Sequence, residues 1–152
     1  MTLVTEEVAN AISNLGIKEG ETHLLSPVEN SALYHELCSY FVEGGDRKWW
    51  WESFKEDAKV IEVEDGMGFK LVPDIVPDSG EKIWFVVEED QMDFYPIYET
   101  TASLASAIVS ECYGFEYYLI PKDKSWLLCE NHHNSLIGVG ESIKGKLSGI
   151  AV

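Results

Sequence analysis

Apolar residues recur three and four apart near the start of the chain. Val8, Ile12 and Leu15 share one side, so the spacing predicts a helix over residues 5–15. Thr5 can cap it, Glu6 and Glu7 suit its first turn, and Gly16 can end it. Ser26-Pro27-Val28-Glu29 has capping-box spacing with Pro27 at the first helical position. Leu33, Leu37, Tyr40 and Phe41 continue the stripe to Gly44-Gly45, which predicts a helix over 27–42. Residues 47–54 read as a short helix or turn holding Trp49-Trp50-Trp51.

From Lys59 the period becomes two. Val60, Ile61 and Val63 alternate with Glu62 and Glu64, as on a half-exposed strand. Residues 69–75 read as extended, with Pro73 marking an edge or break, and Pro77-Asp78-Ser79-Gly80 is a turn. The compact run 82–87 predicts a buried strand closed by Glu88-Glu89-Asp90. Leu104, Ile108 and Cys112 share a face, so a helix is expected over 100–112, ended by Gly114. Three short runs follow, at 115–121, 125–131 and 135–139. Their connections are too short for parallel crossovers and predict an antiparallel meander. Residues 144–152 read as a frayed, glycine-containing tail. The expected fold is therefore one α+β domain over 1–152, with a mostly antiparallel sheet of four or more strands packed with three to four helices.

Composition narrows the function classes. The chain has 152 residues, 45% of them hydrophobic, with 5 Trp, 7 Tyr and 6 Phe, which is enough for a core without metal or disulfide. The net charge of −16 disfavours nucleic acid and anionic membranes and attracts basic partners. No run approaches a membrane span. Residues 1–12 lack the positive charge of a secretory signal, and the 3 cysteines, Cys38, Cys112 and Cys129, are scattered without a CxxC. A cytoplasmic protein with reduced thiols is the expectation.

No complete catalytic motif is present. Gly140 to Leu147 has the Gly-x4-Gly-Lys spacing of a phosphate-binding loop. Leu147 replaces the Ser or Thr that would hold magnesium, and no following helix is expected to cradle phosphate. Glu130-Asn131-His132-His133-Asn134 is the densest polar cluster. On a strand Glu130 and His132 would face one way, as an acid–base pair, while His133 would face the other. The two histidines would then not share a metal, so neither metal nor cofactor is expected. Glu130, His132 and His133 are the weak catalytic candidates.

Two features suit protein binding. Three consecutive residues on a helix span about 200° of its circumference, so one face cannot bury Trp49, Trp50 and Trp51 together. At least one ring is expected at a groove or partner surface. Glu62, Glu64 and Asp65, with Glu88, Glu89, Asp90 and Asp93, would form an acidic rim if their strands are neighbours.

The stretch Ser26-Pro27, Tyr34, Phe41 and Gly44-Gly45 resembles the start of SUKH-type immunity proteins, in which a proline-led helix ends in a glycine pair before the sheet. Tyr117-Tyr118-Leu119-Ile120 followed by Trp126-Leu127-Leu128-Cys129-Glu130-Asn131-His132-His133 is similar to a family of small uncharacterised bacterial proteins. The first resemblance implies a protein that binds and blocks a basic toxin by surface complementarity. The expected function is a non-catalytic protein-binding module. The alternative is an orphan enzyme or small-ligand domain using the Glu130/His132 region and a Trp-lined cleft.

Overall fold

The computed structural model of the chain describes residues 3–44, 50–63, 67–89, 91–92, 94–112 and 115–150. Trp49, Glu64, Asp65, Asp90 and Asp93 lie outside the described residues. The expected α+β fold is present. Seven strands form one antiparallel sheet: β1 His23–Leu24, β2 Lys59–Glu62, β3 Lys82–Val87, β4 Ile97–Thr101, β5 Tyr117–Pro121, β6 Leu127–Glu130 and β7 Ser135–Val139. Their order across the sheet is β1-β4-β3-β5-β6-β7-β2. The helices are α1 Val4–Leu15, α2 Pro27–Phe41, α3 Val72–Ile75, α4 Ala102–Ser110 and α5 Glu141–Ile150, with 3-10 turns at Trp50–Glu52 and Gly68–Lys70.

Helices cover both faces of the sheet. On one face Phe85, Val87, Tyr117, Leu119, Leu128 and Leu136 pack against Val8 of α1, Ile75 of α3, Ile108 of α4 and Leu147 of α5. On the other, Val86, Tyr118, Ile120, Leu127, Cys129 and Ile137 pack against Tyr34, Leu37 and Phe41 of α2 and against Trp50. This double cover explains why β5, β6 and β7 read as continuous apolar runs: every one of their residues is buried.

The local signals act as chemistry dictates. The Ser26 side chain accepts from the Glu29 N–H and its hydroxyl donates to the Glu29 carboxylate, so Ser26 caps α2. The helix ends at Phe41, before the glycine pair, because Val42 turns extended and pairs with Phe54. Helix α1 takes no cap from Thr5. Its Val4 N–H instead donates to Glu89 Oε1 at 2.8 Å, a carboxylate that also suits the positive end of the helix.

Three expectations are corrected. Residues 69–75 are not extended but form the 3-10 turn and α3, whose Val72 and Ile75 are fully buried. The tail does not fray at 144: Ile143 and Leu147 of α5 are 0% exposed, and apolar burial holds the helix on the sheet. The Gly140–Leu147 stretch is thus followed through as helix, with Gly145 and Lys146 inside it rather than in a phosphate-cradling loop. Strands β1 and β4 carry no clear alternation in sequence, and the start of the expected helix at 100 is the end of β4. Thr101 then caps α4, accepting from Leu104 N–H at 3.2 Å.

Candidate functional site

Strands β3, β6 and β2 run in one direction, with β5 and β7 between them running the other way. The C-terminal ends of β2, β3 and β6 therefore open at the same end of the sheet. Glu62, the last residue of β2, and Glu88, the first after β3, both lie at that end. Strands β2 and β3 are not neighbours, as an adjacent rim would need. Four strand spacings separate them, about 19 Å. Glu62 and Glu88 stand toward opposite sides of a lip, with Glu116, Trp51, His132 and His133 between.

Glu116 organises the centre of that lip. It opens β5 on the face shared with Tyr118, and its side chain is 2% exposed. A carboxylate buried this deeply requires donors. Trp51 Nε1 donates to both oxygens, at 3.2 and 3.3 Å, and the His132 N–H donates to Oε1 at 3.1 Å. His132 Nδ1 forms a further hydrogen bond with the same oxygen. Trp51 meets both imidazoles edge-on, with ring centroids 6.0 Å from His132 and 5.5 Å from His133. On β3, Glu88 stands opposite Glu116 in the ladder, its N–H bonded to the Glu116 carbonyl at 2.9 Å. Both side chains lie on the same face.

The histidines sit in the β6–β7 turn, not on a strand. Asn131 Oδ1 accepts from the N–H groups of His133 and Ser135, and Asn134 adopts φ 61°. The turn cancels strand alternation, so the two rings do not point apart: their centroids are 4.0 Å from each other. It also separates His132 from Glu130, correcting the expected acid–base pair. Glu130 faces the opposite side of the sheet, accepting from Tyr117 Oη at 2.7 Å and Gly68 N–H at 2.8 Å. A Cβ at Gly68 would lie 2.5 Å from Glu130 Oε2, so any larger residue there would have to displace the carboxylate from this contact.

The other site candidates divide by burial. Trp50 is 0% exposed and belongs to the core, not to a partner surface. Trp51 is half-buried and keeps that possibility. Glu89 is buried as the cap of α1 and leaves the rim. Glu62 is exposed and accepts from Ser135 Oγ at 3.1 Å. Glu116 was missed by the sequence reading. The available signal was an acid just before the unbroken run Tyr117-Tyr118-Leu119-Ile120, where a two-sided strand forces a carboxylate to find partners.

The Cys129 and Cys112 thiols are poor nucleophiles. Burial, with Glu116 and Glu130 nearby, pushes the Cys129 thiol well up, and burial, with Glu7 and Glu111 adding to it, pushes Cys112 up to about 11. Cys112 and Cys129 are not joined in a disulfide. Among the described residues no group of three or more His, Cys, Asp or Glu side chains is arranged to hold a metal ion. No helix among them is long and apolar enough to cross a membrane.

Glu130 gives a pH prediction. Burial raises its pKa above the usual carboxylate value, against the lowering effect of the Tyr117, Gly68 and Phe69 donors. The folded state then holds the proton more tightly than the unfolded chain. The resulting stability is fully present below the ordinary carboxylate pKa and is lost as pH rises through the raised value. Urea titrations at stepped pH are expected to show this loss in the native chain and a flatter profile in Glu130→Gln. Equal slopes for the two would contradict it.

Neither the curated proteins nor the solved structures compared with this chain give a match. A family model does match, over residues 1–151, and by that span the chain belongs to a family of unknown function, DUF6756.

Proposed function

We propose that this protein is a non-catalytic binding module that holds a basic protein partner on the acidic end of its sheet. The observation that supports this reading is that Glu62, Glu88 and the Glu116-anchored Trp51 lie along one sheet end, on a chain of net charge −16. Acidic groups steer a basic partner into encounter, and a half-buried Trp held by its Nε1 presents a rigid apolar edge that loses little entropy on binding. Inhibition of a basic toxin, the finer version, draws its support from the resemblance of residues 26–45 to immunity proteins.

The test begins with proteins retained from the native cell at low salt, identified and then purified. Against such a partner, Glu62→Lys with Glu88→Lys is expected to slow association several-fold and flatten its salt dependence. Trp51→Ala is expected to speed dissociation instead, weakening binding by about thirtyfold, the size of a hot-spot loss. Unchanged kinetics in both variants would remove the sheet end from the account.

One observation favours a second reading. A buried carboxylate on His132 Nδ1 fixes an imidazole as general bases are fixed, which would suit a small-molecule site. A small molecule that raises the melting temperature of the native chain but not of His132→Ala would favour it.

A further inference from the structure

A groove of about 440 Å³ lies where β1 meets the start of α2, lined by Leu24, Leu25, Pro27, Met92, Phe94 and Pro96. Its rim is apolar and open: Leu24 is 47% exposed and Met92 is 42% exposed. The floor is fixed by Asn30, which donates from Nδ2 to the Tyr95 carbonyl at 2.9 Å and accepts from the Ile97 N–H at 2.8 Å. The groove therefore exists before any partner arrives. It stands at the acidic end of the sheet, because the β3–β4 connection that follows Glu88 supplies Met92, Phe94 and Pro96.

Strand β1 is an edge strand. Leu25 N–H bonds to the Ile97 carbonyl at 3.0 Å, and His23 stands opposite Glu99 in the same register. In an antiparallel ladder, bonded pairs alternate with pairs whose backbone groups point outward. Leu24 is the intervening residue, so its N–H and C=O face the outer edge beside the groove.

We infer that this groove and the Leu24 edge form the anchor site for an extended segment of the partner, in which basic side chains alternate with an apolar one that fills the groove. The inference rests on the acidic-end reading above and names the partner's local chemistry. Charge selects the occupant. Among the described residues no lysine or arginine lines the groove, while Glu21 and Glu29, which flank Leu24 and Leu25 in the chain, are exposed. A second copy of the chain would bring another −16 charges and is repelled. An extended segment fits because an outward N–H and C=O pair is what strand addition uses, with apolar pockets supplying specificity.

The probes are a hexapeptide of alternating lysine and leucine, and one with serine replacing each leucine at the same charge. Both are titrated into the isotopically labelled chain at low salt. The lysine–leucine peptide is expected to bind about tenfold tighter. It should shift the amides of residues 23–25 and the Met92 methyl. Leu24→Pro, which removes the outward N–H, should abolish that preference, and Leu24→Ala should reduce it, both with an unchanged circular dichroism spectrum. Equal binding of the two peptides overturns the inference. So does broadening of the Leu24 signals with chain concentration alone, which would make a second copy the occupant. If both peptides bind and weaken with Glu62→Lys and Glu88→Lys while the Leu24 variants change nothing, the groove fails and the acidic-end reading stands. If neither peptide binds, both fail together.

Discussion

Trp50→Ala is expected to cost about 3–5 kcal/mol of folding stability, the range for emptying a large aromatic from a packed core. The ring is 0% exposed and lies 4.8 Å from Tyr118, 5.7 Å from Tyr34 and 5.9 Å from Tyr95, centroid to centroid. It pins the segment after residue 49 beneath α2 and closes the second core against the sheet. For a chain of this length the melting temperature should fall by roughly 10 °C or more. Trp50→Phe should cost far less, about 1 kcal/mol, because the indole Nε1 has no hydrogen-bond partner among the described residues and its removal relieves that deficit. A thermal or urea melt of the two variants decides this. If Trp50→Ala melts with the native chain, the ring does not hold the core.

Glu116→Ala is the second large effect, expected at about 2–3 kcal/mol. It removes the shared acceptor of Trp51 Nε1, the His132 N–H and His132 Nδ1, and leaves the donors facing a void. His132 is 45% exposed at its side chain, so water replaces part of its loss, and the figure is held below that of a fully enclosed pair. Glu116→Gln keeps one acceptor oxygen and should lie between. The local consequence is as diagnostic as the global one. Trp51 loses its anchor, so its indole N–H resonance should move toward the position of a solvated tryptophan while Trp50 stays put. A large shift at Trp50 with none at Trp51 would contradict the arrangement.

The elements most legible in the sequence were those whose signals are local. The Ser26 cap and Pro27 specified the start of α2, because hydrogen bonds between Ser26 and Glu29 need only residues three apart. Lys82–Val87 and the 115–139 meander were readable from apolar runs split by polar breaks. What was hidden depends on distant partners. Glu89 caps α1 from 85 residues away, so no window around Thr5 contains it. Helix α5 looks like a tail because Gly145 and Gly149 lower its propensity, while burial of Ile143 and Leu147 stabilises it.

The site follows the same division. That one tryptophan of the triplet must differ from its neighbour was legible from helical geometry, and Trp50 and Trp51 do divide into core and surface. Which is which depends on the Tyr34–Tyr95–Tyr118 cage, assembled from three separate elements. The Glu130–His132 pairing failed because the Asn131 and Asn134 turn breaks the alternation on which it was built. Glu116 then takes the place given to Glu130.

The central claim is that a basic protein docks on the sheet end between Glu62 and Glu88, with Trp51 at its middle. The most direct measurement is an NMR titration of the labelled chain with the purified partner, followed through the Trp51 indole N–H and the amides of residues 131–135. The account predicts that these signals shift together and saturate with the partner, and that added salt weakens the binding. Saturating shifts confined to the exposed faces of α4 and α5, with the Trp51 indole unmoved, would contradict it.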